Sequence, residues 1–183
     1  MTTPDLDPLD APTAALAAAV LEVARHVEDA PLPIPRLFAL ARSAELMAAS
    51  PSLAALLGTE GEEVTVQDSL HLTPIDLDDG ASSADDSPAA SDPLARLESV
   101  QWPDLAAGGA IACDLAPSAW SLRDEAGEMD LPSDRALRVV VAALGDGTTW
   151  SAVHRGDENG YVLGAALLPD ISHALLQTLR TTD

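Results

Sequence analysis

The sequence predicts an α+β fold: an antiparallel sheet, built from a C-terminal three-stranded meander plus one or two further strands, covered by N- and C-terminal amphipathic helices. Three observations predict it. Apolar residues recur at helical spacing near both ends of the chain, at Leu16, Val20, Val23, Ala24 and Val27 and again at Ile171, Ala174, Leu175 and Leu179. Between them, Leu137-Arg138-Val139-Val140-Val141-Ala142-Ala143-Leu144 and Thr148-Thr149-Trp150-Ser151-Ala152-Val153-His154-Arg155 flank Gly145-Asp146-Gly147, the pattern of a β-hairpin. The length of 183 residues suits one principal core rather than two.

Taken in order, residues 1–12 hold prolines and aspartates without periodicity and read as a disordered acidic leader. Thr13 is the expected N-cap of the first helix, with a single domain running from residue 13 to 183. That helix must stop before Pro31, Pro33 and Pro35, because each proline removes a backbone donor and biases its predecessor toward extended geometry. A strand then fits Arg36 to Ala41, and Ser43 is placed to cap a second helix through Ala48. Ser50-Pro51 restarts a helical turn, with Leu53, Leu56 and Leu57 inward and Gly58 ending it. Val64 to Leu72 alternates well enough for an exposed strand, which Thr73-Pro74 is expected to interrupt.

From Asp76 to Asp92 the chain is acids, Ser, Ala and Gly, a composition that cannot offset its ordering entropy, so a disordered insertion is expected at about 76–92. Asp92-Pro93 is an N-cap followed by a first helical proline, opening a short helix with Leu94, Leu97 and Val100 on one side and Trp102-Pro103 beyond its end. Residues 109–115 alternate Ile111, Cys113 and Leu115 with Ala110, Ala112 and Asp114, the period of a strand with small residues on its second face. Ser118 to Asp134 reads as a long surface connection with one helical turn, pinned to the core by Trp120. After the hairpin, a turn at 156–160 leads to a third strand at Tyr161-Val162-Leu163, and Pro169-Asp170 opens the last helix. Helices are expected on one face of a curved sheet.

Charge narrows the function classes. Thirty acids stand against nine bases, all arginine, for a net charge of -21. Binding to nucleic acid by counterion release needs clustered cations, and this field repels polyanions, so nucleic acid and anionic membrane surfaces are excluded as partners. Eleven acids and no Lys or Arg lie between Arg42 and Arg96, so about half of the net charge belongs to the middle of the chain. The general effect of such acidity is solubility, and salt adaptation is a further expectation to weigh. A single cysteine, Cys113, leaves no disulfide framework, and its place within a strand predicts a small buried hydrophobe. The start, Met1-Thr2-Thr3-Pro4-Asp5, carries no basic segment of a secretory signal, and no apolar run approaches a membrane span, so a cytoplasmic protein is expected.

Motifs for chemistry are sparse. His26, His71, His154 and His173 form no His-x-x-x-His pair, and Glu22 with His26 at i, i+4 supplies two ligands at most. Asp76-Leu77-Asp78-Asp79-Gly80 and Asp157-Glu158-Asn159-Gly160 miss the calcium-loop pattern and read as turns. No Gly-x-Ser-x-Gly elbow occurs, and without lysine there is no Walker-type phosphate loop. No catalytic residue, metal or cofactor is therefore assigned. Trp150 either covers the core or stands exposed as an anchor; beside Arg138 or Arg155 an exposed Trp150 marks a possible interface.

The succession Pro35-Arg36-Leu37-Phe38-Ala39-Leu40, Ala44-Glu45-Leu46, Leu72-Thr73-Pro74, Trp102-Pro103-Asp104 and Arg138-Val139-Val140-Val141 resembles an uncharacterised family of small acidic actinobacterial cytoplasmic proteins. The likeness implies a structural set of motifs and transfers no site. The coarse layout also looks like the secretion-chaperone class, small acidic α+β proteins that hold extended partner segments, which is a likeness of fold level only. The leading expectation is a non-enzymatic protein-binding or regulatory module that engages another protein, or a second copy in a homodimer, through the sheet face or an edge strand of the 137–163 meander. The alternative is an enzyme or small-ligand binder whose site is assembled from scattered residues, such as His154 with Glu158 or Arg155.

Overall fold

The computed structural model describes residues 11–29, 32, 34–49, 52, 70–77, 92–115, 123–124, 127–128, 136–154, 160–165 and 167–181. The expected leader before residue 11, the turn of helix at 53–58, most of the strand expected from Val64, the acidic stretch 78–91, the Trp120 anchor and Arg155 lie outside the described residues.

The first helix, α1 (Ala11–Val27), begins two residues before the cap expected at Thr13, so Thr13 lies in its first turn. Pro12 fits there because the first N–H groups of a helix have no intrahelical acceptor. Leu16, Val20, Val23, Ala24 and Val27 are all buried, with Ala19 added, which is the stripe read from the spacing. Strand β1 (Arg36–Arg42) runs directly into α2 (Ser43–Ala49).

Strand β2 (Leu72–Asp76) corrects the expectation that Thr73-Pro74 breaks the strand: both residues are inside it, paired with Ala41 and Leu40. The physical reason is position, since β2 lies at the margin of the sheet, where a residue without an N–H is tolerated. The same strand takes Asp76 out of the expected disordered insertion.

Helix α3 (Pro93–Glu98) has the cap that was read: the Asp92 side chain accepts from the Leu94 N–H at 3.0 Å and proline occupies the first turn. Strand β3 (Ala106–Leu115) is the longest. Within the expected surface connection, β4 (Arg123–Asp124) and β5 (Gly127–Glu128) form a two-residue antiparallel ladder where a helical turn is expected. The hairpin is β6 (Leu137–Leu144) and β7 (Thr149–His154), followed by β8 (Tyr161–Gly164) and α4 (Pro169–Thr181). At the hairpin tip Gly147 has φ 103°, which only glycine adopts without strain, and the Asp146 carboxylate accepts from the Thr148 N–H at 2.8 Å.

All six strands of the main sheet are antiparallel, in the order β2-β1-β3-β6-β7-β8. The α+β class is as the sequence predicts, with three strands added to the meander where one or two are expected. The placement of the helices is different: they cover both faces, not one. On one face α1 packs over Phe38, Leu40, Ala110, Ala112, Val140, Ala142 and Ala152. On the other, α3 and α4 bring Leu97, Ile171 and Leu175 over Leu37, Ile111, Cys113, Val139, Val141 and Val153.

The central strands state the cause in their composition. β1 and β6 are apolar at nearly every position, and a strand with both faces buried shows a continuous apolar run rather than alternation. The small residues of the α1 face, Ala110, Ala112, Ala142 and Ala152, let that alanine-rich helix lie close.

The opposite face holds its own device. Gly109 pairs with Ala39 on one side and Ala143 on the other, and a methyl group at Gly109 would come within 2.3 Å of the Trp102 indole. These three small positions make a floor on which Trp102 lies buried, and its Nε1 donates to the Thr178 hydroxyl of α4 at 3.1 Å.

Candidate functional site

Of the residues expected to form an interface, Arg155 lies outside the described residues, and Arg138 and Trp150 do not come together. Arg138 stands opposite His154 and Trp150 opposite Ala142, so they share the α1 face but are four residues apart along the hairpin, roughly 13 Å. Arg138 is a clamp inside the fold. Its Nε and Nη2 donate to both carboxylate oxygens of Asp114 at 2.8 and 3.0 Å, and Nη1 donates to the backbone carbonyls of Val27 and Glu28.

One guanidinium thus joins β3, β6 and the C-terminal end of α1, where a cation also complements the helix dipole. The Asp114 hydrogen bond is the main cause that raises the Arg138 pKa above its usual value. Trp150 is half-buried against the α1 core, and its Nε1 is enclosed with no hydrogen-bond partner among the described residues.

Glu158, expected with Arg155 beside His154, also lies outside the described residues. His26 stands 4.0 Å from the Asp76 carboxylate and sits edge-on to Phe38. His154 packs against Tyr161 with ring centroids 4.8 Å apart. Cys113 is buried, and burial, reinforced by the Asp114 charge, pushes its thiol up to about 12.

Two polar clusters at the β2 margin carry no local sequence signal, because their members are far apart in the chain. Arg36 pairs with Asp76, forty residues away, and its guanidinium lies 5.8 Å over the Phe38 ring. The Ser43 hydroxyl meets the Thr73 hydroxyl at 2.6 Å and Nδ1 of His71 at 2.7 Å, while its N–H donates to the His71 carbonyl at 2.9 Å. Ser43 therefore ties the start of α2 to β2. His71 also borders an apolar cavity of about 190 Å³ between α1 and residues 70–72, lined by Ala14, Ala15, Ala18 and Glu22. Among the described residues there is no group of three or more His, Cys, Asp or Glu arranged to hold a metal ion.

The margin at β8 is built differently. Tyr161-Val162-Leu163-Gly164 contains neither proline nor a charge, and among the described strands it pairs with β7 alone. Pairing places Leu163 beside Ala152 and Tyr161 beside His154, on the α1 face, with Val162 on the α4 face. Leu163 is 43% exposed, one of two large apolar side chains so exposed among the described residues, the other being Leu105 in the turn before β3. The Tyr161 hydroxyl is enclosed without a hydrogen-bond partner among the described residues. Its pKa is raised, first by burial and then by the nearby Glu28 carboxylate, with Arg138 opposing.

This geometry defines a three-layer α+β protein, helices on both faces of one antiparallel sheet, with one strand margin tied into side-chain clusters and the other unpaired among the described strands. The chain belongs to the PPA1309-like protein family, which matches residues 16–180 and is uncharacterised, as the resemblance implies. No curated protein and no solved structure matches the chain. No described helix is long and apolar enough to cross a membrane.

Proposed function

We propose that the chain is a non-enzymatic protein-binding module of the actinobacterial cytoplasm, and that it takes an extended segment of a partner protein as an additional strand along β8. The observation that supports this reading is the open β8 margin itself: an edge strand without proline or charge, carrying an exposed leucine. Such an edge presents unpaired backbone donors and acceptors, which an extended chain satisfies while its alternate side chains provide selectivity. The faces of the meander, the other surface considered from sequence, are occupied by α1 and α4.

The partner is another protein rather than a second copy, because two chains of net charge -21 repel one another. The test is parallel affinity capture with the native chain and Leu163→Asp, a change at an exposed site. The reading expects a stoichiometric partner with the native chain and its loss with the variant, with hydrogen exchange slowed at residues 161–164 in the complex. Equal recovery by both chains, or unchanged exchange in β8, would contradict it.

A second reading, small-ligand binding, is favoured by the cavity beside His71, whose ring is held by Ser43. At about 190 Å³ that cavity is smaller than the ~300 Å³ at which drug-sized ligand sites begin, so the edge reading ranks first.

A further inference from the structure

The β8 margin also carries information about which segment it accepts, and the inference that follows rests on the edge-binding reading. Cross-strand neighbours form a row on the α1 face: Asp114 opposite Arg138, Arg138 opposite His154, and His154 opposite Tyr161. Within this row the Arg138 charge is matched by Asp114 and by the carbonyls at the end of α1. Glu28, exposed at that same helix end and placed beside the row by its carbonyl, which accepts from Arg138 Nη1 at 3.0 Å, contributes the negative charge of the neighbourhood. Two residues further along β8 on the same face stands Leu163, exposed beside buried Ala152.

A strand added to β8 prolongs both rows, because side chains directly opposite each other across an antiparallel or parallel pair are nearest neighbours. We infer that the partner segment carries an apolar side chain opposite Leu163 and an arginine or lysine two residues away on the same face, opposite Tyr161 and toward Glu28. The apolar residue covers the exposed leucine. The cation meets the Glu28 charge and the tyrosine ring, both of which attract it. The net charge of -21 favours the same sign of partner at longer range, and the local arrangement adds position to that general preference.

Short threonine-rich peptides test this against the full chain by fluorescence anisotropy at physiological salt, with hydrogen exchange mapping the site. One peptide carries leucine and arginine at i and i+2, the others leucine with glutamate, or serine with arginine, each in both orders. The leucine–arginine peptide is expected to bind about fivefold tighter than the leucine–glutamate one, the upper range for an exposed charge pair. Glu28→Gln is expected to reduce that preference to about twofold or less, the remainder coming from the ring and the overall charge, while keeping the dependence on leucine. Glu98→Gln, exposed on the opposite face, leaves it intact and so separates local from overall charge. Equal affinity for the arginine and glutamate peptides, or a preference unaltered by Glu28→Gln, overturns the assignment while strand addition stands. Failure of every peptide to slow exchange at residues 161–164 overturns the reading beneath it.

Discussion

The two margins of the sheet differ in how much side-chain chemistry is spent on them. At β2, Pro74 withholds a backbone donor, the Arg36–Asp76 pair spans β1 and β2, and Ser43 hydrogen-bonds to both Thr73 and His71. At β8 there is none of this: four residues, one exposed leucine and an open outer side among the described residues. Edge strands are routinely blunted by proline, charge or cover, because an open edge pairs with whatever strand it meets. Among the described residues one edge of the sheet is blunted and the other is not, and the proposed strand addition at β8 rests on that contrast.

That comparison can be broken from the centre outward. The largest effect belongs to the middle of the sheet, where Gly109→Ala drives a methyl group into Trp102 and is expected to cost about 3 kcal/mol in chemical denaturation. A variant within about 0.5 kcal/mol of native would mean that Trp102 does not lie on Gly109. Next comes the clamp: Arg138→Met strands Asp114 and the α1 carbonyls and is expected to cost about 2 kcal/mol. At the tied margin, Asp76→Asn keeps the shape but removes the ion pair, for about 1 kcal/mol and a native unfolding slope.

At the open margin, Leu163→Asp is expected to leave stability within about 0.5 kcal/mol while removing partner binding. An equal stability loss at both margins would end the distinction between them.

Cys113 gives a pH test of the centre. Its folded pKa of about 12 lies above the ordinary thiol value of 9.0, so the buried neutral thiol contributes stability that is fully present below pH 9 and is lost as pH rises from 9 toward 12. Cys113→Ala is expected to reduce the fall in stability above pH 9, and the native thiol is expected to resist modification at pH 8 until the chain unfolds. Rapid labelling of the folded chain would place Cys113 at the surface.

Local patterns in the chain disclosed much of this fold, and long-range pairings did not. The Asp92-Pro93 cap, the turn at Gly145-Asp146-Gly147 and the stripes of α1 and α4 depend on neighbours within one or two turns, so spacing suffices to find them. The two-sided burial is present in Val139-Val140-Val141-Ala142-Ala143-Leu144 as a run without alternation, but such a run does not say which elements cover its two faces.

Pro74 reads locally as a strand breaker, but proline's effect on a strand depends on whether the strand is central or marginal, which pairing alone decides. Arg138 reads in the sequence as a possible neighbour of Trp150 at an interface; its partners Asp114, Val27 and Glu28 come from other elements, and they make it a clamp within the fold. The β8 margin was legible only as a strand; its openness is a property of the sheet order.

The most direct measurement is residue-resolved hydrogen exchange of the native chain with and without the leucine–arginine peptide. The account predicts slowed exchange at 161–164 and no change at 72–76. Protection at 72–76 with none at 161–164 would assign the open edge to β2 and contradict it.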